Sequence, residues 1–279
     1  MKGDLCQNVL QWLAIISIIF FPALWIINSS FRFYTKIFFV GLCMVIVSFP
    51  FAFGSLLRPK DVRNYRLGQW LLAHATSFLN IKWELRGKEK LDRLNGPCIF
   101  VCNHQSFLDL IGMMHMWPDR CVPMVKRELM YYGVFGLVGY LTGSVFIDRC
   151  NRHKVVETCQ KTIEYLKLKD VKLWVFPEGT RNDNTEMLPF KKGAFHMAIQ
   201  GQLPIVPVVF SSYAPFYDHK RKKFLEDGLI IMEVLEAINT NSLALENVKQ
   251  LSENVRSIMM NAFERVSTQA SRMYSARNF

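Results

Sequence analysis

The heptapeptide Asn103-His104-Gln105-Ser106-Phe107-Leu108-Asp109 sets an imidazole and a carboxylate five positions apart. Before it, Cys98-Ile99-Phe100-Val101-Cys102 is an unbroken apolar run that reads as a buried strand. After it, Leu110-Ile111-Gly112-Met113-Met114 reads as the start of a helix. A histidine at a strand end with a carboxylate one helical turn on has a clear chemical use. The carboxylate accepts from one ring nitrogen and fixes the tautomer, and the other nitrogen is left as a base. The bland alternative is a surface histidine beside a helix N-cap.

Phe176-Pro177-Glu178-Gly179-Thr180-Arg181 also follows a strand candidate, Lys172–Phe176. Open α/β sheets bind ligands beyond the carboxyl ends of their strands, where this turn sits. Gly179 permits close backbone approach, Thr180 supplies a hydroxyl, and Arg181 offers a fork suited to phosphate. A capped turn in which Arg181 merely pairs with Glu178 fits the same residues. Lys126 and Arg127 follow Val122–Val125, and Arg149 follows Ser144–Ile147. Solvated charges are the commoner fate of such groups. Their accumulation at one end of the expected sheet nevertheless favours an anion site facing His104. Lys191 and Lys192 precede a helix expected near Gly193–Gln200 and stopped by Gly201.

These groups need a scaffold, and from about residue 62 the pattern alternates strands and helices. A helical stretch at Arg63–Phe78 precedes a period-two strand at Ile81–Leu85. Gly133 to Gly143 is a glycine-spaced stretch. Asn151 suits the N-cap of a helix with an apolar stripe at Val155, Cys159, Ile163 and Leu166. Leu203–Phe210 and Leu229–Leu235 are further strands, and an amphipathic helix from about Leu243 to Ala270 closes the pattern. The expectation is one α/β domain, a mixed sheet with flanking helices, over residues 59–279.

Residues 1–58 are different. Val9–Ile27 is an apolar run of ~28 Å as a helix, close to the ~30 Å hydrocarbon core. A second uncharged run spans Ile37–Phe53, with a connecting stretch Asn28–Lys36 between the two. The first run has no strongly basic leader and no small-residue cleavage site, so a retained hydrophobic helical hairpin in the membrane is expected rather than a signal peptide. Pro22 and Pro50 leave both spanning and re-entrant forms open. Arg58, Lys60, Arg63 and Arg66 against Asp61 put the larger part on the cytosolic side.

The net charge is +11 with 51% hydrophobic residues, and the pI is about 9.4. A chain both apolar and basic points to anionic membranes or anionic ligands. It has no zinc-finger spacing, RNP-like segment or basic-region heptad, so no nucleic-acid partner is expected. Seven cysteines without a C-x-x-C fit reduced thiols, and no His/Cys cluster has metal-ligand spacing.

Four blocks occur in order: N-H-x-x-x-x-D at 103–109, K-R-E-L at 126–129 leading to F-I-D-R at 146–149, F-P-E-G-T-R at 176–181, and P-I-V-P-V-V at 204–209. Together they resemble the motif blocks of the membrane-bound glycerolipid acyltransferases. Ser211-Ser212-Tyr213, Phe216-Tyr217 and Lys220-Arg221-Lys222-Lys223-Phe224 are similar to the animal 1-acylglycerol-3-phosphate branch. The resemblance implies acyl-CoA as co-substrate with no cofactor, lysophosphatidic acid as acceptor, and phosphatidic acid as product. It implies His104 as base, Asp109 as its orienter, and Gly179, Thr180 and Arg181 as the acceptor's phosphate site on a turn that Glu178 orients, with Lys126 and Arg149 helping there or at the CoA phosphates. It also implies an integral membrane location in the endoplasmic reticulum. An acyl-enzyme through Cys102 or Ser106, another acceptor in the same family, and a silent lipid-binding protein are the alternatives. Nothing in the sequence names a protein partner.

Overall fold

The structure is a computed structural model and describes residues 7, 11–12, 20–148, 152–182, 184 and 186–277. Arg149, the expected N-cap Asn151 and most of the first apolar run lie outside the described residues.

A seven-stranded mixed sheet carries the site. Its strands are β1 (Ile81–Arg86), β2 (Ile99–Cys102), β3 (Cys121–Lys126), β4 (Val145–Ile147), β5 (Lys172–Val175), β6 (Ile205–Phe210) and β9 (Gly228–Val234), in the order β1-β9-β6-β2-β5-β3-β4. The five strands from β6 to β4 are mutually parallel, and β9 runs antiparallel to β6 with β1 parallel to β9. A strand covered on both faces needs no polar alternation, which explains the unbroken apolar runs: all four residues of β2 and all six of β6 are buried. Helices Tyr65–Ala75 (α2), Lys88–Asp92 (α3), Asp109–Met116 (α4), Gly133–Leu141 (α5), Arg152–Lys169 (α6), Gly193–Gly201 (α7) and Val248–Arg277 (α8) flank the sheet. Between β6 and β9 the chain forms a short antiparallel hairpin, β7 (Tyr217–Asp218) with β8 (Lys223–Phe224).

Several boundaries differ from expectation for identifiable reasons. The glycine-spaced stretch is helical as α5, and its Gly136 packs tightly against the backbone of Met130. Helix α7 is stopped by Gln202, which takes the left-handed conformation (φ 50°), rather than by Gly201. Gly201 is instead a packing glycine, because a Cβ there would stand 2.9 Å from Leu203. The last helix starts later and runs further than its apolar stripe, over Val248–Arg277.

The largest correction is N-terminal. Asn28–Lys36 is no loop: residues 20–27 are helical, and helix α1 runs Ser29–Leu56, with Asn28 as its N-cap accepting from the Phe31 amide at 3.0 Å. Among the described residues α1 is the helix long and apolar enough to cross a membrane, with a mean hydropathy of 2.4 and 22% of that window buried. Phe38, Phe49 and Phe53 are exposed by 64%, 61% and 74%. The opposite side docks at both ends. Phe33 stacks on Tyr217 of the hairpin, and Phe51 lies edge-on to Tyr65 of α2.

Candidate active site

His104 leaves the carboxyl end of β2, and Asp109 is the first residue of α4. His104 Nδ1 lies 2.6 Å from Asp109 Oδ2, which also accepts from the Gln105 and Ser106 amides at 2.6 and 3.0 Å. Asp109 Oδ1 accepts from the Tyr213 hydroxyl at 2.7 Å. Asp109 is fully buried, and four donors converge on its two oxygens. The carboxylate needs a donor from the ring, so the proton sits on Nδ1. Nε2 has no hydrogen-bond partner among the described residues, and the His104 side chain is 20% exposed. The ring stacks on Phe176 with centroids 4.1 Å apart. The ring thus has one nitrogen fixed by the Asp109 carboxylate while the side chain stays partly exposed.

The residues flanking His104 tie it to β6. Asn103 makes a two-point clasp on Phe210, donating to its carbonyl at 3.0 Å and accepting from its amide at 2.8 Å. Gln105 donates to the Phe210 and Ser211 carbonyls at 3.1 and 3.0 Å. Gly112 lets α4 press close, since a Cβ there would meet the Trp83 ring at 2.6 Å.

Glu178 holds the other side. Its Oε1 accepts from the His104 amide at 2.9 Å, and its Oε2 accepts from the Leu188 amide at 2.9 Å and from Asn182 Nδ2 at 3.3 Å. The Asn182 amide returns a bond to the His104 carbonyl at 2.8 Å. Burial pushes the Glu178 carboxyl up, opposed by these hydrogen bonds. Glu178 is thus a brace between two loops, and the expected alternative pairing with Arg181 does not occur. Gly179 has φ +75°, which turns the chain so that Thr180 and Arg181 emerge on the surface beside the His104 loop.

Strand register levels the remaining cation with the base. Ile99 pairs with Leu173 and Leu173 with Val122, and β3 continues to Lys126, so Lys126 ends its strand at the same carboxyl edge from which His104 leaves β2. Lys126 is two strands from His104's own strand, roughly 10 Å across the sheet. It is exposed, and neighbouring Arg127 pairs with Asp148 at 3.3 Å. Arg149 lies outside the described residues.

Neither candidate nucleophile is poised. Cys102 is fully buried, and burial first, then Asp109 and Glu178, holds its thiol well above the ordinary range. Ser106 is buried and its Oγ accepts from the Leu108 amide at 3.0 Å, a helix-start role. The Tyr213 hydroxyl is likewise pushed up by burial and then by Asp109, so it remains a donor. Tyr213 as a ligand of Asp109 was not legible from spacing: it lies 104 residues further along.

A family model described as Acyltransferase matches residues 82–211, the stretch that holds both His104 and Arg181. The protein is an acyltransferase. The chain is 40% identical over 248 residues to "1-acyl-sn-glycerol-3-phosphate acyltransferase alpha" of Mus musculus, covering 88% of this chain and 86% of that one. It is 38% identical to the beta enzyme of Homo sapiens, over 86% and 87% of the two chains. The fold is that of the crystal structure of the 1-acyl-sn-glycerophosphate (LPA) acyltransferase PlsC from Thermotoga maritima, with a TM-score of 0.61 and 21% identity over 85% and 94% of the chains. The chain belongs to the 1-acyl-sn-glycerol-3-phosphate acyltransferase family.

Proposed function

We propose that this enzyme transfers an acyl group from acyl-CoA to the sn-2 hydroxyl of 1-acyl-sn-glycerol 3-phosphate, giving phosphatidic acid and CoA. The observation that carries the mechanism is the His104–Asp109 pair, bonded through Nδ1 in a side chain that stays partly exposed. Nε2 takes the hydroxyl proton as the acceptor oxygen attacks the thioester carbonyl, and Asp109 stabilises the imidazolium. The C–S bond then breaks, and CoA departs as a thiolate that takes up the proton from the imidazolium or from solvent. The buried, protonated Cys102 thiol and the structurally used Ser106 hydroxyl support direct transfer without an acyl-enzyme.

Arg181, with Thr180 and the Gly179 turn, holds the acceptor's phosphate, and Lys126 and Arg149 help there or at the CoA phosphates. The exposed apolar face of α1 embeds in the bilayer, where the lysolipid resides. An endoplasmic reticulum membrane, with the catalytic domain in the cytosol, fits the basic stretch that follows α1.

The test is CoA release from labelled acyl-CoA over a panel of acceptors. Turnover should be fastest with lysophosphatidic acid, and Arg181→Ala should raise the KM for that acceptor while sparing the KM for acyl-CoA. Preference for an unphosphorylated acceptor, or an unchanged acceptor KM in Arg181→Ala, overturns the assignment.

A further inference from the structure

The β7–β8 hairpin carries four consecutive cations, Lys220 to Lys223, that the mechanism does not use. The fold divides them. Lys223 Nζ donates to the Pro215 carbonyl at 2.7 Å, and Lys222 lies over the rings of Phe33 and Tyr34 at 5.4 and 5.3 Å. These two fasten the hairpin. Lys36 of α1 completes the fastening, donating to the Phe224 and Leu225 carbonyls at 3.2 and 2.6 Å and pairing with Glu226 at 3.4 Å. Lys220 and Arg221 instead line a cavity of about 350 Å³ whose inner wall includes Gln105, Ser106 and Tyr213. Its size is that of a small-molecule site, and it abuts the His104 turn directly.

Among the described residues that line it, two are basic and one is acidic. Asp218 also lines it, but its Oδ1 accepts from the Arg221 amide at 2.9 Å and caps the turn. Its Oδ2 stands 3.7 Å from the Arg221 guanidinium. Lys220 Nζ reaches Asn184 Oδ1 at 3.1 Å, from the loop that also carries Arg181. In strand order the loops after β5 and β6 flank β2 on opposite sides, and here they meet.

We propose that Lys220 and Arg221 form a second phosphate site. It is made of residues other than Arg181, on a hairpin that Lys222 fastens to α1. The inference rests on the acyl-transfer reading above, in which both substrates carry phosphate: the lysolipid as a monoester, the CoA moiety as a pyrophosphate and a 3′-monoester. One base flanked by two anion sites accommodates both, so the hairpin takes the substrate that Arg181 does not.

The experiment is steady-state kinetics in neutral detergent micelles, with each substrate varied, for wild type, Lys220→Ala/Arg221→Ala and Arg181→Ala. Loss of two partly solvated charge-assisted contacts should raise one KM by about tenfold, with kcat nearly unchanged. The raised KM should belong to the substrate that Arg181→Ala leaves alone. The exchange Lys220→Arg/Arg221→Lys, which keeps both charges, should restore most of the affinity. Unchanged KM values in the double alanine variant overturn the proposal. So does a rise in the same KM that Arg181→Ala raises, or an effect seen only on anionic vesicles, which assigns the charge to membrane docking. A wild type that does not turn over acyl-CoA with lysophosphatidic acid overturns the functional reading instead.

Discussion

Asp109→Asn separates the charge of the Asp109 carboxylate from its shape. In the wild type, Oδ2 faces three N–H donors and Oδ1 faces one hydroxyl. An asparagine must place its carbonyl oxygen at the Oδ2 position, because an NH₂ there would confront the Gln105 and Ser106 amides. Its NH₂ then points at Tyr213, whose hydroxyl can rotate and accept. The histidine keeps its tautomer and position and loses only the negative charge that stabilises the imidazolium. At an effective dielectric of about 20, opposite unit charges ~4 Å apart attract by roughly 4 kcal/mol. With His104 partly solvated, about 2–4 kcal/mol should be lost from the transition state, or roughly 30- to 1000-fold in kcat/KM. The assay is thiol release from acyl-CoA at saturating acceptor, with thermal unfolding as the control. A kcat/KM within about threefold of wild type would refute the imidazolium role. A collapse in stability would refute the argument that the amide fits.

Three further outcomes follow from the site. Cys102→Ala and Ser106→Ala should each retain most turnover, whereas a trapped acyl adduct in the wild type, lost in either variant, would establish an acyl-enzyme. Tyr213→Phe leaves Asp109 Oδ1 without its donor, which should cost about 1–3 kcal/mol in urea unfolding; an unchanged midpoint would show that the bond contributes nothing net. Glu178→Gln presents an NH₂ to at least one of three N–H donors, so amide exchange at His104 or Leu188 should accelerate; equal protection in both proteins would sink its role as a brace.

The readable and unreadable parts of this molecule divide by the range of the forces involved. Strands β2, β5 and β6 announce themselves because burial on both faces demands continuous apolar runs, and the His104–Asp109 pair is visible because it closes within one helical turn. Asn28–Lys36 misleads because Arg32 and Lys36 resemble loop charges. In the fold Arg32 donates to the Trp25 and Ile26 carbonyls and Lys36 to a hairpin 188 and 189 residues away. Gln202 replaced Gly201 as the helix stop because close packing at Gly201 decided the glycine's position, leaving the left-handed turn to its neighbour. Glu178 was expected to serve the turn that holds phosphate. That its carboxylate grips the His104 amide could only be learned once β2 and β5 were seen side by side.

The Asn103 clasp on Phe210 gives the fourth motif block, which holds no reactive group, a reason to exist. The His104 loop takes its position from one residue of β6, Phe210, so β6 serves as a ruler against which the histidine is set. Adding or deleting a single residue between Leu203 and Phe210 would change which peptide meets Asn103 and reverse which side chains face inward, shifting the base without touching it. Length in that segment is therefore under tighter constraint than identity. Alignments and engineered chimeras of this enzyme should tolerate Val-for-Ile exchanges there far better than any gap.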